Sequence, residues 1–244
     1  PITHILSLFP VKLSTSTKSA WFNVLSEENI SVWRHNCLRK APQELLESDV
    51  LQLCTTYKSK LRALIHSWNP HDCSPNGTVR GVTFTRSQTP QTTDGCRARI
   101  GFREGRHVWQ VSFMDPLGSC AIVGVATRST VLSKPGYGPL IGSDRHSWGW
   151  NLQGNLLFHK GESFRYYPGD PKIKYKVGDI LHCLLDCEDR TLSFKKNGQF
   201  LGIAFTDLPV PKKELFPAIS TVYGGSRVSL VYLGTIPDSL ARKL

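Results

Sequence analysis

Near residue 70 the spacing of apolar side chains changes, and that change decides what the chain can fold into. Before it, Leu46, Val50, Leu53, Tyr57, Leu61 and Leu64 follow at intervals of four, three, four, four and three, which puts them on one helical face. After it apolar and polar residues alternate. "VTFTR", "CRARIGF", "HVWQVSF", "CAIVGVAT", "SWGWNL", "LLFHK", "DILHCLLDC", "TLSFKK", "FLGIAF", "FPAIST" and "RVSLVYL" are short, rich in β-branched or aromatic residues, and separated by turn residues. About eleven such segments with no helical period between them predict an all-β antiparallel two-sheet sandwich.

Upstream, "THILSLF" and "SAWFNVLSEENISVWRHNCLR" read as further short helices, the last capped by Ser26. Thr55 or Thr56 is the expected cap of a helix restart within residues 46–64. "HSWNPHDCSPNGTV", rich in Pro, Asn, Asp, Ser and Gly, reads as the boundary between the two halves. Two hairpins are expected beyond it. "REGR" around Gly105 would join "RARIGF" to "HVWQVSF", and Asn197-Gly198 in "KKNGQF" suits a two-residue turn with positive φ.

Composition narrows the function classes. Hydrophobic residues at 40% and charged residues at 20% suit a globular chain. The net charge is +11, of which +3 falls in residues 1–69, while the remainder is spread along the strand-like segments. A diffuse excess of that kind reads as solvated surface, so no nucleic-acid partner is expected. No apolar run approaches the roughly 18 residues of a membrane span, so no membrane insertion is expected. "PITHILSLFP" has neither a basic leader nor a small-residue cleavage site and does not read as a signal peptide; the absence of an initial methionine suits a trimmed chain. Seven cysteines without a C-x-x-C pair point to reduced thiols, and so to unused sequons at Asn29 and Asn76.

"GSDRHSWGWNLQGNLLFHKGE" holds the densest aromatic chemistry. On a strand, Trp148 and Trp150 share one face and Gly149 turns to the other, where it admits another backbone. His146 and His159 have no third ligand at metal spacing, so the segment reads as scaffold and neither metal nor cofactor is expected. His182, Asp186, Glu188 and Asp189 lie close in sequence but read as a buried strand and its turn. Cys183 and Cys187 share one face there as inert thiols, and Asp186 faces away. No nucleophile–base pair or nucleotide cradle emerges, so no catalytic residue is expected.

"TTDGCRARIGFREGRHVWQV", "AIVGVAT", "LIGSDRHSWGWNL", "LLDCEDRTLSFKKNGQFLGIAF", "LFPAIS", "TVYGG" and "VSLVYLG", in that order, resemble a SPRY domain over nearly all of residues 70–235. The closest resemblance is to F-box/SPRY proteins of the synaptic type. "PITHILSLF", "KSAW" and "SVWRHNC" are similar to an F-box, shortened between Leu13 and Trp21 and incomplete at its start. The resemblance implies an F-box module over 1–39, a helical linker over 40–69, a SPRY domain over 70–237 and a tail over 238–244.

It also implies a non-catalytic substrate-recognition subunit of a ubiquitin ligase, cytoplasmic and at the synapse, with the nucleus as a further compartment. The implied partners are a Skp-type adaptor, a large RING ligase of the Highwire type, and substrate proteins held through short extended peptide segments. The alternative is a SPRY peptide-binding adaptor that does not engage ubiquitin machinery. Carried over by motif, the peptide-contact candidates are Arg86, Gln88 and Pro90, then Tyr137 and Leu140, then Val222, Tyr223 and Gly224. The adaptor-contact candidates are Pro1, Ile5, Leu6, Phe9, Trp21 and Trp33. For both sets the competing reading is ordinary packing of loop ends and of a helical bundle.

Overall fold

The computed structural model describes residues 31–236. Pro1, Ile5, Leu6, Phe9, Trp21 and the expected cap Ser26 lie outside the described residues, as does the tail. The described chain opens with α1 (Ser31–Leu38), α2 (Gln43–Leu46), a 3-10 turn (Asp49–Leu51) and α3 (Tyr57–Ile65).

The single helical face expected from Leu46 to Leu64 does not form. Ser48 leaves the helix with extended backbone, and its hydroxyl donates to the Leu45 carbonyl at 2.7 Å. That local bond competes with helix continuation. The phase is therefore reset before Thr56, which begins α3 with a capping box: Thr56 Oγ1 accepts from the Ser59 amide, and Ser59 Oγ from the Thr56 amide, both at 3.1 Å. Leu51 and Cys54 consequently turn inward, whereas Leu53 is 49% exposed.

These helices pack against the sandwich. Trp33, Cys37, Leu46, Leu51, Leu61 and Leu64 form one cluster with Val82 and Val231 of the sandwich. Arg62 donates to the Leu233 carbonyl at 3.2 Å. Just beyond α3 the His66 ring stacks on Tyr232 at 4.1 Å, and Phe102 stacks on His107 at 3.7 Å. Burial pushes the His66 imidazole down to about 4, and it lowers His107 as well.

The strands are β1 (Trp68–Cys73), β2 (Gly77–Arg80), β3 (Thr83–Arg86), β4 (Thr92–Ala98), β5 (Arg106–Phe113), β6 (Ala121–Ala126), β7 (Ser133–Pro135), β8 (Ser147–Asn151), β9 (Leu156–His159), β10 (Glu162–Tyr166), β11 (Leu181–Asp186), β12 (Thr191–Lys196), β13 (Gln199–Phe205), β14 (Phe216–Thr221) and β15 (Arg227–Thr235). They form two antiparallel sheets. One runs β1-β4-β14-β6-β8-β9-β10 with β7 also on β4, and the other β13-β12-β11-β5-β15-β3-β2. Trp68, Phe84, Trp109, Phe113, Trp150 and Phe194 fill the space between them. The described residues form an antiparallel two-sheet β-sandwich with short helices ahead of it.

Two local expectations change. The boundary segment supplies β1, an edge strand whose Pro70 falls in the irregular stretch between the Trp68 and Cys73 rungs, where a proline is tolerated. Gly105 does not close a hairpin, because β4 and β5 belong to different sheets. The turn is tied instead to the end of β11: the Gly105 amide donates to Glu188 Oε1 at 2.9 Å, and the Cys187 amide to the Gly105 carbonyl at 3.0 Å. Asn197-Gly198 does close the β12–β13 hairpin, with φ of 48° and 84°.

Trp148 and Trp150 lie opposite Val125 and Val123 of β6, and Gly149 lies opposite Gly124. The Trp150 indole meets Tyr167 edge-on at 5.1 Å and Phe194 at 5.2 Å. On the outer face, a Cβ on Gly149 would stand 2.7 Å from the Ile141 carbonyl oxygen, so the glycine is what lets the 140–142 loop lie flat on the sheet. That loop follows Tyr137, so the same packing helps set the loop end of the sandwich.

Candidate functional site

Arg86 ends β3 and Asp94 lies in β4, on opposite sheets, and their side chains meet beneath the loop between them. Both are buried, with Arg86 Nε 2.8 Å from Asp94 Oδ2. Arg86 Nη1 donates to the Ser87 carbonyl at 3.0 Å. Its Nη2 donates to the Thr89 carbonyl at 2.7 Å and the Thr92 carbonyl at 2.8 Å. Asp94 also accepts from Ser74 at 2.5 Å, Thr92 at 2.7 Å, Ser133 at 2.8 Å and Asn76 at 3.1 Å. Burial alone would raise the Asp94 carboxyl, but the hydrogen bonds from Ser74, Thr92, Ser133 and Asn76 outweigh it and hold it below the usual carboxylate range.

Residues 87–91 are thus wrapped around a buried guanidinium. Arg86, expected to reach out to a ligand, is 1% exposed and spends its donors on its own loop. The reason is its place at an inward position of β3, which faces the Asp94 carboxylate across the sandwich.

The other two segments join this frame. Tyr137 Oη accepts from the Gln91 amide at 2.7 Å, and the Gly136 amide donates to the Gln91 carbonyl at 2.8 Å. On the opposite side the Gly225 amide donates to the Arg86 carbonyl at 3.1 Å, and the Arg86 amide to the Ser226 carbonyl at 2.9 Å. A Cβ on Gly224 would stand 3.3 Å from the Gln88 Cα, so glycine there permits close packing of the two loops. The three sequence-selected segments therefore come together at one end of the sandwich.

Not every selected residue faces solvent. Tyr137 is 56% and Tyr223 39% exposed, with Gln88 and Pro90 exposed between them. Leu140 is fully buried, where a Cβ on Gly95 would stand 3.4 Å from its Cδ2, and Val222 is 8% exposed. Leu140 and Val222 lie beneath the loops and offer little surface to a partner. Trp33, the adaptor candidate within the described residues, is 1% exposed and belongs to the helical cluster's core.

Sequence reasoning missed Asp94, Ser87 and Gln91. An Arg and an Asp eight residues apart, separated by a run of Ser, Gln and Thr, are the only local sign of a closed polar frame, and nothing local says they meet.

The acidic cluster around Asp186 has structural duties. Arg106 donates to Asp186 Oδ2, and the amides of Glu188 and Asp189 donate to Oδ1 at 2.9 Å each, which shapes the turn. Among the described residues no group of three or more His, Cys, Asp or Glu is placed to hold a metal ion, and no helix is long and apolar enough to cross a membrane. A separate cleft of about 430 Å³, lined in part by Asn155, Tyr166 and Lys174, shares no residue with the loop end.

Residues 106–233 match the family model described as SPRY domain. "F-box/SPRY domain-containing protein 1" of Drosophila mojavensis is 48% identical over 240 residues, covering 97% of this chain and 94% of the fly protein. The chain belongs to the F-box/SPRY family. Its relative of the same name from Anopheles gambiae is 45% identical, over 97% of this chain and 92% of the mosquito protein. The sandwich is similar to the SPRY domain of human HERC1, with a TM-score of 0.55 and 22% identity over 68% of this chain and 97% of that one. It is also similar to the TRIM65 PSpry domain, with a TM-score of 0.50 and 19% identity over 68% of this chain and 89% of that one. These two likenesses concern the fold alone.

Proposed function

We propose that this F-box/SPRY chain is a non-catalytic substrate receptor of a ubiquitin ligase. Its loop end holds an extended segment of the protein to be modified, and its N-terminal region engages a Skp-type adaptor. The observation that carries the binding half is the convergence of three loops on a buried Arg86–Asp94 frame, which leaves Gln88, Pro90, Tyr137 and Tyr223 facing solvent. A preformed surface with two exposed aromatic rings loses little conformational freedom on binding, which favours affinity. The ligase half is supported by the names of the relatives, which join an F-box to a SPRY domain.

Within this reading the ligase is a large RING enzyme of the Highwire type acting at the synapse, as the sequence resemblance suggests. The recognition elements in this reading are short extended segments, which suit a face built from converging loops. A pull-down of the full chain with a Skp-type adaptor, alongside a peptide array, tests both halves. Adaptor capture together with peptides that compete for one face is the expected result; no adaptor capture overturns the ligase half.

A second reading, a SPRY adaptor outside the ubiquitin system, is favoured by the burial of Trp33 and by the packing of residues 31–65 on the sandwich. Peptide capture without adaptor capture selects it.

A further inference from the structure

Cys73 ends β1 and Cys96 stands directly opposite it on β4. The neighbouring rung, Ser74 with Gly95, carries the ladder bond, its amide donating to the Gly95 carbonyl at 2.9 Å. The Cys73–Cys96 rung is therefore a non-hydrogen-bonded pair, the kind in which side chains approach most closely and Cα atoms sit about 4.5 Å apart. A disulfide spans Cα separations of roughly 4.4–6.8 Å. All seven cysteines are free thiols, and no other two of them face each other in the strand register.

We propose that Cys73 and Cys96 form a hydroperoxide-modifiable dithiol, which closes to a disulfide between β1 and β4. The two sulfurs have unequal roles. Cys73 is half-buried at the sheet edge, whereas Cys96 is fully buried behind it. The hydrogen bond from the Cys96 thiol stabilises a Cys73 thiolate and brings it down to about 7, against the opposing effects of burial and of Asp72. Burial raises every other cysteine: Cys37 and Cys120 to about 11, Cys187 to about 12, and Cys54, Cys96 and Cys183 likewise upward.

The chemistry balances with one hydroperoxide. The Cys73 thiolate attacks the O–O bond and takes one oxygen as sulfenic acid, while the other oxygen leaves and is protonated. The Cys96 sulfur then attacks the sulfenic sulfur; the S–S bond forms, the S–O bond breaks, and hydroxide leaves with the Cys96 proton as water. Two thiols lose two electrons and two protons, and hydrogen peroxide becomes two waters. The crosslink would fasten β1 beside the Arg86–Asp94 frame, because Ser74 follows Cys73 directly and donates to Asp94 at 2.5 Å.

The test treats the full chain with sub-millimolar hydrogen peroxide, blocks the remaining thiols under denaturing conditions, and maps peptides without reductant. The expected result is a Cys73–Cys96-linked peptide about 2 Da lighter than the sum of its reduced halves, sensitive to dithiothreitol. In Cys96→Ser, Cys73 should instead accumulate as a dimedone-trapped sulfenic acid; in Cys73→Ser, Cys96 should stay unmodified at the same dose. The wild-type map decides the matter even where a variant fails to fold. Linkage between other cysteines, or Cys73 no more reactive than Cys187, overturns the proposal. None of these readouts depends on what the loop end binds.

Discussion

Replacing Arg86 by methionine probes the frame under the binding loops. Methionine keeps much of the apolar stem and none of the donors, so Asp94 loses its charged partner and the carbonyls of Ser87, Thr89 and Thr92 lose theirs. Removing one member of a buried ion pair costs about 3–5 kcal/mol. Asp94 retains Ser74, Asn76, Thr92 and Ser133, and the freed carbonyls of residues 87–89 lie near solvent, so the low end applies. A loss of about 3 kcal/mol in a chain of this size lowers the melting temperature by roughly 6–12 °C. Thermal and urea denaturation, with binding of an array-selected peptide, give the two readouts. Both stability and affinity should fall, because the loop loses its template. Asp94 carries its share of stability at pH above its unfolded value of 3.8, and that share is lost as pH falls through the lower folded value, so the gap between wild type and variant should narrow in acid. Unchanged melting with abolished binding would refute the reasoning, since Arg86 would then be a ligand contact.

Trp150→Ala removes a fully buried indole from between the sheets and should cost about 3–5 kcal/mol in denaturant titrations; a cost below about 1 kcal/mol would contradict its place in the core. Thr56→Ala removes the cap of α3 and should cost about 1 kcal/mol, whereas Thr55→Ala should be close to neutral by the same measurement. Burial holds His66 near 4 against 6.5 unfolded, so the unfolded chain takes up the proton first and stability falls as pH drops from about 6.5 towards 4. The full drop approaches 3 kcal/mol, and His66→Phe should flatten that part of the profile; a wild-type melting temperature constant from pH 7 to pH 5 would contradict it.

The sandwich was legible because its cues are local. Alternation marks the strands, Asn197-Gly198 marks the hairpin, and the two rings flanking Gly149 mark an inward face. Gly105 misled because a turn signal says that the chain reverses, not which sheet receives it; the bonds to Glu188 and Cys187 that settle it come from more than eighty residues away. Leu53 misled because helical spacing assumes an unbroken helix, and Ser48 breaks it with one hydroxyl. At the loop end the segments were legible but their inner and outer residues were not. Arg86 and Leu140 look like contact residues in isolation, and only pairing with Asp94 across the sandwich and packing beneath Gly95 turn them inward.

The affinity of an array-selected peptide for Tyr223→Ala, measured beside wild type and Tyr166→Ala, tests the binding face most directly. Tyr223 should be a hot spot worth about 1–3 kcal/mol, a loss of roughly 5- to 150-fold, with melting nearly unchanged, while Tyr166→Ala in the separate cleft binds as wild type does. Equal affinity of all three proteins, or loss at Tyr166 alone, would contradict a peptide seat at the loop end of the sandwich.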